Sequence, residues 1–292
     1  SAASDVYKRQ GYSPMENADF FTGQTYLGVE MRGIYSGMGG FINDERPSTT
    51  VNYDQAVQKS KQDSNVPIYS FEVGQFQVFP DVLTEMDDYT GLLEPRNLQL
   101  VVENLKEKGV SDEMVARYIN ASGMLSQLGY RMEFEAALRT KDFGGISLLG
   151  IQDFSGQATA LVGMMNALGD PKPYEFADPE TFRQWSNQVV ALLETEKFCY
   201  TSNENFIGKV LLSNFAATDL QGEMTYRLYR EDGTLAVEGS LPNTTYVQGE
   251  LTQAGTLELP LAAFTKPEQL RLEIGLHDVT NSYDLWVYPA DQ

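Results

Sequence analysis

One run of residues, 66–81, constrains the fold more than any other segment of this chain. It reads VPIYSFEVGQFQVFPD, and the apolar, β-branched and aromatic residues before Glu72 are typical of a strand buried in a parallel sheet. A carboxylate at the end of such a strand is unfavourable unless it is used or paired. In α/β barrels, catalytic groups lie at the carboxyl ends of the strands. Glu72 is therefore a candidate catalytic residue, and the alternative is a glutamate that is ion-paired in the core.

A second run, FGGISLLGIQDFSGQ at 143–157, has the same organisation. Its apolar residues predict another buried strand, which Gln152 and Asp153 follow. Helices are predicted around the two strands, over 53–64, 81–91, 95–109, 111–140, 158–168 and 179–196. Strands that alternate with helices favour βα units of a parallel sheet or barrel. A complete (β/α)8 TIM barrel takes about 250 residues, so residues 11–196 have room only for its C-terminal strands and helices.

The sequence pattern changes after residue 196. Residues 197–292 contain short alternating strands and an Asp-Gly turn signal at 232–233, which predict an Ig-like antiparallel β-sandwich. The predicted fold class is therefore α/β plus all-β, with a partial TIM barrel over 11–196 and a β-sandwich over 197–292. Residues 1–10, SAASDVYKRQ, show no periodicity and resemble translated sequencing-adapter read-through. We expect them to be non-native and leave them out of the fold.

The composition excludes several classes of protein. The chain has 21 Lys and Arg against 41 Asp and Glu, a net charge of −20, which disfavours nucleic acid and anionic lipid as partners. No apolar stretch is long enough to span a membrane. A single cysteine, Cys199, and a single histidine, His277, argue against a disulfide framework and against cysteine or poly-histidine metal sites. Because the chain has one histidine and one cysteine, acid–base chemistry would use carboxylates, tyrosines or lysines. No metal or cofactor is expected.

Two stretches, PIYSFEVGQFQVFPD and GGISLLGIQDFSGQATALVG, resemble barrel strands of glycoside hydrolases of the family 2 type, the bacterial β-galactosidase and β-glucuronidase relatives. LEPRNLQLVVENLKEKG and MEFEAALRT resemble connecting helices of one subgroup. The resemblance covers residues 11–292. It implies the C-terminal part of a retaining exo-glycosidase, periplasmic or secreted in a bacterium, with a carbohydrate as its substrate.

Carried over residue by residue, the resemblance implies that Glu72 is the nucleophile of a double displacement. The acid/base glutamate of the family lies on an earlier strand, and no Asn-Glu pair precedes Glu72. We therefore expect the second carboxylate to be missing and the isolated chain to show little or no turnover. Phe71 stands where the subgroup often has a histidine, which puts a polar contact there in doubt. An incomplete barrel would expose strand edges and apolar surface, which favours a homo-oligomer.

Five further side chains are candidates for substrate binding. Gln152 and Asp153 could contact sugar hydroxyls, or Asp153 could cap the turn that follows it. The amides of Gln75 and Gln157 suit hydroxyl recognition and equally suit loop closure. Arg32 could neutralise the surroundings of the nucleophile or form a structural ion pair. For the chain as a whole, the alternative function is a non-catalytic carbohydrate-binding or interaction scaffold.

Overall fold

The structure of the chain is a computed structural model. It describes residues 10–11, 20–22, 49–63, 66–74, 76–154 and 161–290, without the side chains of residues 10, 11, 20–22, 56, 60, 63 and 70–72. The predicted site residues Arg32, Gln75 and Gln157 lie outside the described residues, as does the side chain of Glu72. Strands predominate and helices are few. The chain divides into two compact units, Ser1–Asn43 with Tyr69–Glu133 and Gly145–Phe182, and Asp44–Ile68 with Phe134–Gly144 and Arg183–Gln292.

A four-stranded sheet contains both strands predicted in the first half of the chain. Its strands, in the order β1-β2-β3-β4, are β1 (Gln10–Gly11), β2 (Phe20–Thr22), β3 (Ile68–Gly74) and β4 (Gly145–Leu149). The pairs β1–β2 and β3–β4 are parallel. The prediction that the second strand is buried is wrong, because Leu149 is 43% exposed and Ile151, just beyond β4, is 47% exposed.

The helices are α1 (Asp54–Asp63), α2 (Arg96–Glu107), α3 (Asp112–Leu138) and α4 (Pro179–Arg183), with single 3-10 turns at Met86–Asp88 and Glu175–Ala177. Helices α1, α2 and α3 confirm three predictions. The helix predicted over 81–91 is wrong except for one 3-10 turn, and residues 161–168 of another predicted helix are not helical. Within the described part of the chain, no helix combines the length and apolar character needed to cross a membrane.

The strands after residue 188 form a β-sandwich. They are β5 (Val189–Glu194), β6 (Cys199–Thr201), β7 (Asn205–Asn214), β8 (Leu220–Gly222), β9 (Thr225–Tyr229), β10 (Leu235–Ser240), β11 (Thr244–Tyr246), β12 (Glu250–Pro260), β13 (Glu268–Leu276) and β14 (Val279–Tyr288). Their sheets have the orders β10-β9-β13-β14-β6, β12-β7-β5 and β11-β8. The pairs are antiparallel except β6–β14, which is parallel.

One apolar core lies between the two larger sheets of the sandwich. It includes Leu193 and Leu212 from the three-stranded sheet and Leu272 and Leu285 from the five-stranded sheet, all fully buried. Burial alternates along β12 and β14, as expected for strands with one face on a core. The two sheets therefore pack face to face, as in a sandwich.

The helix predicted over 179–196 is wrong in its second half. Only α4 is helical, and β5 pairs antiparallel with β7 from Val189–Asn214 to Glu194–Lys209. A short continuous apolar run such as VVALLE cannot be assigned to helix or strand from periodicity alone. Residues 189–194 form a strand because they pair with β7, and residues 189–193 are also buried.

Candidate functional site

The carboxyl ends of β3 and β4 lie at one edge of the four-stranded sheet. Their parallel register pairs Gly74 with Leu149, so the segments that follow both strands leave the sheet at this edge. Glu72 lies near the end of β3, and Gln152 and Asp153 come shortly after β4. The backbone therefore brings these three positions to the same edge, which is the edge that α/β enzymes use for ligands.

Strand β3 is irregular at Glu72. Ser70 pairs with Ile146 and the next pair is Val73 with Leu148, so β3 carries one more residue than β4 over this stretch. This is a β-bulge, which bends a strand and changes the direction of a side chain. Bulges are frequent beside active sites for that reason. Local backbone geometry therefore distinguishes Phe71 and Glu72 from the regular part of the strand.

Gly74 fixes the end of β3 against a buried tyrosine. It has a φ of +101°, and a Cβ atom there would lie 2.0 Å from Cε1 of Tyr130. The Tyr130 side chain is fully buried. Its hydroxyl lies 2.9 Å from the carbonyl oxygen of Gly150 and 3.0 Å from that of Val162. Tyr130 therefore holds the end of β3 beside the segments that follow β4.

Replacing Gly74 with alanine is expected to destabilise the protein by about 2–6 kcal/mol, because backbone strain and a side-chain clash add. Gly169→Ala is the matched control, since Gly169 has a φ of +96° with no atom within 4 Å of an added Cβ. That control is expected to lose only the backbone part, about 1–3 kcal/mol. Urea unfolding followed by the helical circular-dichroism signal measures both, and equal losses would contradict the role of Tyr130.

Glu133, on α3, places a second carboxyl group near the same strand end. It is 1% exposed, and neither carboxyl oxygen has a hydrogen-bond partner among the described residues. Burial raises the pKa of Glu133 well above its usual range. The Gly74 amide lowers this pKa, but by less than burial raises it. Burial therefore favours the neutral acid.

Asp153 is held by a buried lysine. Its Oδ2 lies 2.7 Å from Nζ of Lys172, and its Oδ1 accepts a hydrogen bond of 2.8 Å from the Gly163 amide. Asp153 is 4% exposed, and burial raises its pKa while Lys172 lowers it. The role of Asp153 as a sugar contact stays a prediction. Gln152 is exposed, and its Nε2 donates a hydrogen bond of 2.9 Å to the carbonyl oxygen of Ala167.

Two more buried carboxyl groups, those of Glu85 and Asp81, interact electrostatically with Asp153. Oε1 of Glu85 is 4.0 Å from Nζ of Lys172. Oδ1 of Asp81 accepts a hydrogen bond of 2.9 Å from the Tyr174 hydroxyl. Burial raises the pKa of Glu85 to about 7, with Lys172 opposing the increase and Asp153 and Asp81 adding to it. Burial and Asp81 also raise the pKa of Tyr174. The ammonium group of Lys172 thus lies close to the carboxyl groups of Asp153 and Glu85, and the charge of Asp81 raises the pKa of both.

The stability of the protein is expected to fall as pH rises through the titration of Glu85. The fold raises the pKa of Glu85 from 4.5 to about 7, so the folded protein binds this proton more tightly than the unfolded chain does. The resulting stability is fully present below about pH 4.5 and is lost as pH approaches about 7. Relative to Glu85→Gln, the native protein should lose about 1–3 kcal/mol of unfolding free energy between these limits. Urea titrations at several pH values measure this loss. The exposed Glu94→Gln control should show the same dependence of unfolding free energy on pH as the native protein. If Glu85→Gln also showed that dependence, the prediction would be contradicted.

Sequence reasoning missed the buried residues Lys172, Glu85, Asp81 and Glu133. Lys172 lies in the segment DPKPY, where no periodic pattern indicates burial. For Glu133 a signal existed, because the residues three and four positions away on α3 are small or aromatic and none is basic: Gly129, Tyr130, Ala136 and Ala137. A glutamate whose neighbours on the same helix face are small or aromatic, with no basic residue among them, is predicted to be buried without an ion-pair partner on that helix.

Comparison with known families gives one match. A family model described as a domain of unknown function, DUF8488, matches residues 204–289, within the sandwich. No curated protein sequence matches the chain.

Several solved structures are similar at low identity. The exo-chitosanase CsxA of Amycolatopsis orientalis is 14% identical, with a TM-score of 0.39, over 65% of this chain and 21% of that chain. A β-glucosidase from Listeria innocua is 14% identical, with a TM-score of 0.28, over 35% of this chain and 16% of that one. The CARDB domain of the PF1109 protein from Pyrococcus furiosus is 11% identical, with a TM-score of 0.24, over 35% of this chain and 89% of that one. The chain spans about a fifth or less of the two glycosidases.

Proposed function

We propose that this chain is part of a retaining glycoside hydrolase of the family 2 type, in which Glu72 is the nucleophile. In this proposal β3 and β4 are two strands of a (β/α)8 barrel, and the chain from residue 11 up to β5 belongs to its C-terminal part. The sandwich domain, predicted over 197–292, begins at β5. The observation that carries the proposal is the β-bulge of β3, which lies at Glu72 on the edge that Gln152 and Asp153 share.

The chemistry requires an ionised carboxylate that attacks the anomeric carbon and a second carboxyl group that protonates the leaving oxygen, about 5 Å away. Glu133 and Asp153 are unsuitable as the second group. Glu133 is buried on a helix, and both oxygens of Asp153 have protein partners. We therefore assign the acid/base role to no described residue. The net charge of −20 favours a neutral or cationic sugar over an anionic one.

A non-catalytic carbohydrate-binding or interaction scaffold is the second candidate. One observation favours it. The polar groups that follow β4 are engaged within the protein, since Asp153 contacts Lys172 and Gln152 contacts the backbone at Ala167. An edge whose polar groups already bond to other groups of the protein offers a ligand fewer free partners than an active site does.

Covalent trapping distinguishes the two candidates. The longest natural protein that contains residues 11–290 is incubated with a panel of fluorinated aryl glycosides, which stabilise a glycosyl-enzyme intermediate, and is then digested and analysed by mass spectrometry. We expect one glycosyl group on the peptide that contains Glu72, no label in Glu72→Gln, and normal labelling in the control Glu94→Gln. Labelling of another carboxylate, or no labelling together with no turnover of unfluorinated aryl glycosides, would overturn the proposal.

A further inference from the structure

A cavity of about 330 Å³ lies on the sandwich, within the segment matched by the family of unknown function. Its lining includes six polar side chains, those of Glu223, Thr225, Arg227, Glu273, His277 and Thr280. The volume is within the range of about 300–1,000 Å³ that is usual for small-molecule sites. The strand register explains how the cavity forms.

The cavity lies on the side of the five-stranded sheet that faces away from the core. Arg227 of β9 lies directly across from Glu273 of β13 in the strand register, and both are on this side. In the next row, Gly275 of β13 lies between Thr225 of β9 and Thr280 of β14. Gly275 lets the backbone of β14 approach closely, because a Cβ atom there would lie 2.5 Å from the carbonyl oxygen of Val279 and 3.2 Å from Oγ1 of Thr280. Arg227 and Glu273 line the cavity in the adjacent row.

His277 also lines the cavity. It lies in the turn between β13 and β14 with a φ of +55°, in the left-handed region where histidine, like asparagine and aspartate, is more frequent than other non-glycine residues. Its imidazole is against Gly222, since a Cβ atom on Gly222 would lie 2.9 Å from Nε2. The only histidine of the chain thus occupies a strained turn position with its ring at a cavity.

The charges of the lining indicate what it would bind. Glu273 is paired with Arg271 at 2.8 Å, and Arg227 lies 3.8 Å from Glu238. Glu223 accepts a hydrogen bond of 2.9 Å from the Ser240 hydroxyl. The lining therefore combines partly neutralised carboxylate acceptors with guanidinium, imidazole and hydroxyl groups. In the described part of the chain, no three His, Cys, Asp or Glu side chains are grouped as metal ligands.

Hydroxyl groups both donate and accept hydrogen bonds, so a ligand that carries several of them matches this mixed lining. An anion would meet two carboxylates on a chain of net charge −20. We propose that the cavity is a binding site for a neutral pyranose, separate from the edge that contains Glu72 and independent of the function proposed there. The polar lining offers no aromatic platform for the sugar ring beyond the imidazole. A monosaccharide should therefore bind with a Kd of about 1–10 mM, as its small number of atoms allows.

The single histidine makes the test specific, because the imidazole proton resonances of the full chain can come only from His277. Methyl glycosides of glucose, galactose and mannose are titrated in turn, and at least one is expected to shift these resonances saturably. Glu223→Gln and Arg227→Ala should weaken binding about tenfold or more each, by loss of a charged hydrogen-bond partner. The matched control Glu258→Gln, an exposed glutamate on β12, should leave binding unchanged.

Thermal unfolding of each variant verifies that the sandwich is intact. No saturable shift with any pyranoside would overturn the proposal, as would unchanged binding in folded Glu223→Gln and Arg227→Ala. A shift caused by an alkylammonium ion and by no neutral sugar would also overturn it and assign the cavity to cations. Glu72→Gln should leave this titration unchanged, so a failure at one site is distinguishable from a failure at the other.

Discussion

Glu72→Gln is expected to lower kcat for aryl glycosides by on the order of 10⁴-fold or more in the natural protein, because the amide cannot attack the anomeric carbon. KM should change far less, since glutamine keeps the size of the side chain. Initial rates for an activated aryl glycoside measure both parameters. The exposed control Glu94→Gln should match the native enzyme, and unchanged turnover in Glu72→Gln would end the assignment.

Azide tests the same residue in the opposite direction. Glu72→Ala opens space where the carboxylate was, and an external anion can then attack the anomeric carbon directly. We expect azide to restore turnover of an activated aryl glycoside and to give a glycosyl azide of inverted anomeric configuration, because only one displacement occurs. The native enzyme should form no such product. A glycosyl azide of retained configuration would contradict the nucleophile assignment.

Lys172→Met is expected to reduce the unfolding free energy by about 3–5 kcal/mol at neutral pH. The side chain of Lys172 is 1% exposed, and its removal leaves Asp153 and Glu85 buried without a counter-charge. The loss should shrink as pH falls, since both carboxyl groups can then be protonated. Urea unfolding followed by the helical circular-dichroism signal measures the change.

Two further variants test the cause of that loss. Lys209→Met removes a lysine that also lies close to a carboxylate, 2.6 Å from Glu194, but its side chain is 51% exposed and the loss should be about 0–1 kcal/mol. Adding Asp153→Asn to Lys172→Met should cost less than the sum of the separate changes, because the two residues share one interaction. A loss below about 1 kcal/mol in Lys172→Met would show that the pair contributes little.

Much of the fold could be predicted from the sequence. Strands β3 and β4, helices α1 to α3 and the hairpin at 232–233 all have strong local signals, and the backbone follows them. In that hairpin β9 pairs with β10, and the Arg230 amide donates to the carbonyl oxygen of Thr234. The errors occur where local signals are ambiguous. Residues 189–194 are apolar without a period, so their pairing with β7 rather than their sequence decides that they form a strand.

The candidate site was predictable only in part. The two strand ends carry recognisable sequence, so the positions of Glu72, Gln152 and Asp153 at one edge follow from a parallel pairing. The interaction between Asp153 and Lys172 could not be foreseen, because no period or motif relates residues that are separated by a non-helical segment. The exposed positions Leu149 and Ile151 show the same limit, since an apolar run specifies a strand without specifying what covers it.

The position of β5 has a practical consequence for producing the sandwich on its own. A polypeptide begun at residue 197, or at residue 204 where the family match begins, would lack this strand. Strand β7, now between β12 and β5, would then present a free row of amide and carbonyl groups to other molecules. Such an edge recruits neighbouring chains into intermolecular sheets and inclusion bodies. Soluble expression of this module therefore calls for a start upstream of Val189.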